Sequence, residues 1–276
     1  MPTMMDVPEH FQRNWTSAYN YDKRCHQHGA WFENFAANRG LKVGDDWVYV
    51  PIIWSALSPS TGYAAGVKWL ESKMDKDTRY FTLLMAAEGI DAIKPAGLTV
   101  VGGSTGDICM PLVSQRNVGL ADSPFMRPSL RKYRSNFMGC SQIPHNAFGV
   151  RPRMLAKLPK DTYRRVKTHR KHKLPSFPAY MSVMRDSVYT FAPRGFGPSS
   201  FRLYEAMAVG SIPIYIWKDR LQLPFTDQVD WDELAVVQEA DWDGAFPERN
   251  AKLGREFHRE FCEPEQLCQK IERLFQ

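Results

Sequence analysis

Short apolar runs alternate along this chain with segments of helical spacing and with Gly/Pro punctuation. Residues 47–54 (WVYVPIIW), 80–86 (YFTLLMA), 98–102 (LTVVG) and 107–113 (DICMPLV) read as strands, with a helix over 62–73 after the first. Residues 114–134, rich in punctuators, read as a crossover. A second series follows: a strand at 135–139, helices near 152–157 and over 178–186, a strand at 187–192, a helix at 200–209, and strands at 212–217 and 234–238. Residues 256–275 (EFHREFCEPEQLCQKIERLF) look helical, with a break near Pro264. Strands alternating with helices predict an α/β fold with mainly parallel sheets, in two Rossmann-like domains facing across a cleft. Ligands in such folds collect at the carboxyl ends of the strands.

Composition narrows the class. The 276 residues are 43% hydrophobic and 13% aromatic, enough for a sizeable core. No window approaches 18 continuous apolar residues, and MPTMMDVPEHFQRNW has no basic region followed by an apolar core. A soluble, cytoplasmic protein without a membrane span is expected. Five cysteines, an odd number with no CxxC pair, read as reduced thiols. The net charge of +6 conceals one patch: residues 151–173 hold ten Lys/Arg against one Asp, a local +9 that leaves the remainder near −3.

The most informative stretch is residues 189–219, YTFAPRGFGPSSFRLYEAMAVGSIPIYIWKD. An apolar strand leads into a loop whose prolines cannot continue it. Ser199 and Ser200 then stand where a helix N-cap is expected, and Gly210 where the helix stops. A strand, a glycine loop and a helix start direct backbone N–H groups and the positive end of the helix dipole at one point, which suits a phosphate. Gly195 and Gly197 allow close approach; Gly195-x-Gly197-x-x-Ser200 lacks the third glycine of the dinucleotide fingerprint, so a nicotinamide site is disfavoured. Arg202 and Glu205, three apart, share a face of an otherwise apolar helix. That face is either a solvent-side ion pair or the ligand side, with Arg202 near phosphates and Glu205 on a ribose hydroxyl. Arg194 is a second phosphate candidate.

APRGFGPSSFRLYEAMAVGSIPIYI resembles the signature of exostosin-like inverting glycosyltransferases, a family that includes heparan-sulfate polymerases and plant cell-wall transferases. Pro224-Phe225, Val229-Asp230-Trp231, the DICMP segment, and Phe137–Gly139 followed by Arg151 fit the same pattern. The match is strong over 180–240, moderate over 100–160 and faint before that. Without an anchor or stem in view, the chain is similar to small soluble members of microbial or large-algal-virus type. The resemblance implies a GT-B fold with an acceptor-side domain at 1–134, a nucleotide-sugar-binding domain at 135–252, and C-terminal helices at 253–276 that pack back on the first domain. It implies inverting transfer from a UDP-sugar, best guessed as UDP-xylose, to a glycan or glycoprotein acceptor. No metal cofactor is required in that reading.

An inverting transfer is a single displacement: a carboxylate takes the acceptor proton while the diphosphate leaves from the opposite face. Positive charge must meet that leaving group. Arg151, Arg194, Gly195, Phe196, Gly197, Ser199, Ser200, Arg202 and Glu205 are the expected donor-binding residues, with Arg153 a weaker candidate. The base is expected in the first domain, at Glu88 after the 80–86 strand or at Asp107; Asp22, Asp45 and Asp46 are further candidates. Three Asp-x-Asp triplets (75–77, 230–232, 241–243) read as surface features rather than metal ligands, and Cys25-His26-x-His28 has no second ligand cluster. His145 reads as an ordinary loop residue, and the tryptophans 15, 31, 47, 54 and 69 as packing residues that would also suit sugar stacking. The basic stretch 162–173 of the 151–173 patch suggests a rival, a nucleic-acid-binding module, or contact with an anionic or glycan acceptor; a glycan-binding protein of transferase fold without turnover is a further rival. Nucleic acid is disfavoured, because only Tyr163 is interleaved among the charges. A solvated interdomain loop is the plain expectation for that run.

Overall fold

The computed structural model describes residues 4–12, 26–59, 61–86, 89–141, 149–167 and 175–276. The chain divides into two compact units, 1–118 with 261–276, and 119–260. The expected divisions at 134/135 and 252/253 both fall inside the second unit, 16 and 8 residues from its two ends.

The first unit carries α1 (Glu9–Gln12), α2 (His26–Arg39), β1 (Trp47–Val50), α3 (Thr61–Glu71), β2 (Arg79–Leu84), β3 (Leu98–Gly102) and β4 (Ile108–Cys109). Its sheet is parallel, in the order β1-β2-β3-β4. Two expected strands are shorter than read. The 47–54 run stops at Val50, because Pro51 has no N–H for the ladder, and Trp54–Ala56 then turn as a 3-10 helix. The 107–113 run keeps only Ile108–Cys109, ending before Pro111. Trp54 is fully buried, and its indole N–H donates to Thr82 Oγ1 at 2.8 Å; that hydroxyl donates to the Val50 carbonyl at 2.8 Å.

The second unit carries β5 (Tyr133–Cys140), α4 (Val150–Lys157), β6 (Tyr163–Lys167), α5 (Phe177–Arg185), β7 (Ser187–Pro193), α6 (Phe201–Ala208), β8 (Ile212–Trp217), α7 (Trp231–Leu234), β9 (Val236–Glu239) and α8 (Ala251–Phe257). All five strands are parallel, in the order β6-β5-β7-β8-β9. Central β7 and β8 are almost wholly buried, as a parallel sheet covered on both faces requires. Phe137, Phe191, Ile214, Ile216 and Trp242 pack on one side of them as the core. Strand β6 corrects the loop expected for the basic run: Tyr163–Lys167 pairs along β5 from Asn136 to Cys140. Leu234, expected to open a strand, instead closes α7, whose N-cap Asp230 accepts from the Asp232 N–H.

The C-terminal segment returns to the first unit as α9 (Pro264–Leu274). A π-helical turn over His258–Cys262 precedes the break at Pro264. Phe275 stacks on Phe81 of β2, ring centroids 3.9 Å apart, and meets Trp47 edge-on at 4.7 Å. Each unit is thus a Rossmann-like parallel α/β body, the two-part composition of a GT-B fold. Among the described residues no helix is long and apolar enough to cross a membrane.

Candidate active site

The carboxyl ends of β5, β7 and β8 meet at the loop 194–200. β7 ends with the Arg194 N–H donating to the Ile216 carbonyl (2.9 Å), and the Gly195 N–H then donates to the Ser199 carbonyl (3.3 Å), closing the turn. Tyr215 of β8 pins that turn from below, its hydroxyl donating to the Pro198 carbonyl at 2.8 Å. Gly195 has an ordinary φ, and a Cβ there would find nothing closer than 3.6 Å. The chain's own packing does not require glycine at this position; a ligand approaching the backbone would.

Ser200 occupies the α6 N-cap with extended φ −146° and ψ 125°, but its side chain makes no capping bond, contrary to the expectation for it. Ser199 is 3% exposed, and its hydroxyl has no hydrogen-bond partner. A buried hydroxyl left so costs about 1–3 kcal/mol unless something else satisfies it. The helix start is therefore an uncapped positive dipole end with an unsatisfied hydroxyl beside it. Gly210, at φ +73°, ends α6 as expected, and a Cβ there would come within 2.8 Å of Phe125.

The three arginines of this region take different parts. Arg194, expected to reach a diphosphate, is 5% exposed, and its guanidinium is engaged with the Lys218 carbonyl (2.8 Å), the Asp219 carboxylate and the Phe196 carbonyl (3.3 Å). It ties the 194–200 loop to the turn after β8. Arg151, at the start of α4, donates from Nε to the Arg194 carbonyl (3.2 Å) and from Nη1 to the Cys140 carbonyl (3.1 Å), spanning the ends of β7 and β5. Arg202 lies over the Phe137 ring at 5.0 Å and donates from Nη2 to the Met138 carbonyl at 2.6 Å. Its Nη1 is buried with no partner, a charged donor that the protein itself leaves unmet.

Tyr180 of α5 completes the group. Arg202 Nε donates to its hydroxyl at 3.0 Å, and the hydroxyl donates to Glu205 Oε2 at 2.9 Å. Burial raises the Tyr180 phenol above its ordinary range, so it stays a protonated donor at neutral pH. Arg202 and Glu205 are thus linked through a third side chain on one face of α6. No spacing in the sequence connects position 180 with 202, so Tyr180 was missed. Gly139 makes room for the group, since a Cβ there would stand 2.9 Å from Arg202 Nη2.

The sequence profile of the Exostosin GT47 domain matches residues 99–242, just over half of the chain. The chain belongs to the exostosin GT47 family. A probable glucuronosyltransferase of rice (Oryza sativa subsp. japonica) is 42% identical over 59 residues, 21% of this chain and 14% of the relative. A probable glucuronoxylan glucuronosyltransferase of Arabidopsis thaliana is 38% identical over 61 residues, 22% of this chain and 13% of the relative. A probable beta-1,4-xylosyltransferase of the same plant is 40% identical over 57 residues, 21% of this chain and 14% of the relative. The matched stretches thus span about a seventh of the relatives' length.

The exostosin GT47 match encloses Asp107, Arg151, Tyr180 and the whole 194–205 loop and helix. Asp107 is held by Lys94 Nζ (2.6 Å) and by the Val100 N–H (2.8 Å). Glu88, Asp22 and His145 lie outside the described residues. The Asp-x-Asp triplets serve local structure: Asp75 gathers the Asp77 and Thr78 N–H groups and the Tyr80 hydroxyl, Asp230 caps α7, and Asp241 pairs with Arg153 and Lys157. Arg153 donates from Nε to Asp241 Oδ1 at 3.2 Å.

A buried carboxyl in the first unit also escaped the sequence reading. Glu33 of α2 is fully buried and accepts from the Ser55 N–H (2.9 Å), the Ser55 hydroxyl (2.5 Å) and the Met85 N–H (2.7 Å), holding the end of β2. Burial pushes its pKa up to about 7, against the lowering effect of these bonds. A glutamate amid the aromatic residues of WFENF was the available signal.

Proposed function

We propose that this protein is an inverting glycosyltransferase moving a sugar from a UDP-sugar to a hydroxyl of a glycan acceptor. The observation that carries the reading is the α6 start: an uncapped helix N-terminus, the unpartnered Ser199 hydroxyl and the unmet Arg202 Nη1, all within the family-matched segment. These are donors prepared for an anion. In this reading Arg202 and the 199–202 backbone receive the diphosphate, Arg151 and Arg194 hold the loop that presents them, and Glu205 accepts from a ribose hydroxyl.

The chemistry is one displacement. A carboxylate, for which Glu88 is proposed and Asp107 is the second choice, takes the acceptor proton as the new C–O bond forms. The bond from the anomeric carbon to the diphosphate breaks on the opposite face, and the charge released there is met by Arg202 and the helix dipole. UDP-xylose is proposed as donor with UDP-glucuronate its competitor, one of the three relatives above being named a xylosyltransferase and two glucuronosyltransferases. Leaving-group stabilisation by arginine is proposed to replace a metal.

A thermal-shift panel of UDP, UDP-xylose, UDP-glucuronate and GDP-mannose, with and without EDTA, tests this, since a ligand stabilises according to its affinity and concentration. The uridine nucleotides are expected to raise Tm equally with and without EDTA. Absence of a shift with every uridine nucleotide overturns the reading.

A further inference from the structure

Strand β6 is the outer strand of the second sheet, and it holds three of the ten Lys/Arg of the 151–173 run. Arg164 and Arg165 are consecutive in a strand, so they project to opposite faces of the sheet edge. Both are exposed, as is Lys160 in the turn before them, and none of the three has an ion-pair partner among the described residues. Arg153 and Lys157 of α4, by contrast, share one carboxylate partner, Asp241. Exposed Asp161 is the one acid of the whole 151–173 run. Like charges are held together here with nothing in the fold requiring it.

The register gives this edge a direction. Arg165 stands beside Met138, whose carbonyl receives Arg202, and Lys167 stands beside Cys140, whose carbonyl receives Arg151. The cationic edge therefore runs, one strand spacing of about 4.8 Å away, to the carboxyl end where the candidate donor site lies. We propose that Lys160, Arg164 and Arg165 along β6 form a docking surface for an acidic polysaccharide, a chain bearing carboxylate or sulfate groups. As the approach to a sugar-transfer site, this rests on the transferase reading above.

Two other uses of the charge make different demands. Cations on an edge strand prevent sheet-to-sheet association, but charge of either sign does that. Single-stranded nucleic acid is held by several stacking aromatics along a basic groove. Among the described residues of β6 the one aromatic side chain is Tyr163, half-buried, with its ring 5.0 Å from that of Tyr133. The favoured occupant is a polyanion without bases to stack.

The test is affinity electrophoresis of the full chain through gels holding polygalacturonate or neutral dextran, alongside anisotropy with a 20-nucleotide oligothymidylate. Polygalacturonate is expected to retard the protein and dextran not to. An Arg164→Glu/Arg165→Glu variant keeps charge on the edge while reversing its sign, and should weaken polyuronate binding about tenfold or more. An Arg164→Lys/Arg165→Lys variant should restore it. Equal retardation of wild type and the Glu variant overturns the proposal, as does tighter binding of oligothymidylate than of polygalacturonate. A UDP thermal shift on the same samples separates the two readings. Polyuronate binding without any UDP shift removes the transferase assignment and leaves the docking surface, whereas a UDP shift without polyuronate binding removes the docking surface alone.

Discussion

Arg202 donates through Nε to the hydroxyl of Tyr180 at 3.0 Å, and that bond sets where its guanidinium plane lies. Replacing Tyr180 with Phe removes the acceptor for Arg202 and the donor for Glu205 together. Hydrogen bonds to charged groups contribute about 1.5–3 kcal/mol when well formed, and these are only partly buried, so a loss of about 2 kcal/mol is expected. UDP affinity should fall with it. Calorimetric titration of UDP into the variant measures the second effect, and unchanged affinity would show that Tyr180 serves packing only.

Gly139→Ala probes the same guanidinium from the other side. The added methyl would stand 2.9 Å from Arg202 Nη2 and 3.2 Å from Phe137 Cζ, so Arg202 must give way and surrender its bond to Met138. The end of a flexible side chain moves cheaply, and stability should change by about 1 kcal/mol or less. UDP binding should weaken about tenfold, equivalent to roughly 1.4 kcal/mol. Denaturation midpoints and UDP titration check the two halves separately.

Arg194→Ala should do the reverse. This side chain is buried among its own loop and the turn after β8, so its removal strands the Lys218 and Phe196 carbonyls and releases Asp219. Asp219 is half-exposed and rehydrates, so the cost comes mainly from the carbonyls, about 2 kcal/mol. Urea unfolding should register that loss. A lysine at 194 should not recover it, because one ammonium cannot reproduce the guanidinium fork.

Glu33 supplies a pH signature. Its carboxyl titrates near 7 in the folded protein against 4.5 unfolded, so the native state holds the proton longer. This contribution is fully present below about pH 4.5 and is lost as pH rises through 7, by up to about 3 kcal/mol. Glu33→Gln does not ionise, so its stability relative to wild type should rise across that window. Parallel slopes for the two proteins between pH 4.5 and 7 would sink the prediction.

The parts of this fold that were readable share a physical cause. β3 and β8 matched residue for residue, because strands buried on both faces leave an unbroken apolar run between punctuators. β6 was hidden because an edge strand needs no such run, and TYRRVK shows charge where its ladder lies. α2 was hidden because HQHGAWFENFAANR lacks a separate apolar stripe. The loop 194–200 was legible from its glycines, prolines and serines, but the separate tasks of Arg194 and Arg202 were not. Whether a guanidinium faces its own loop or the mouth of the sheet depends on Asp219, Met138 and Tyr180, and the sequence does not mark these as neighbours.

The order in which the first unit acquires its parts has a consequence for synthesis. Its sheet comes from residues 1–118, but α9 and Phe275, which stacks on Phe81, follow the whole of the second unit in the chain. Domains fold as units while the nascent chain emerges. On the ribosome, residues 119–260 can therefore reach their native state while Phe81 and Trp47 still lack the Phe275 ring. The aromatic surface of the first unit thus stays open until Phe275 has been made and docks on Phe81.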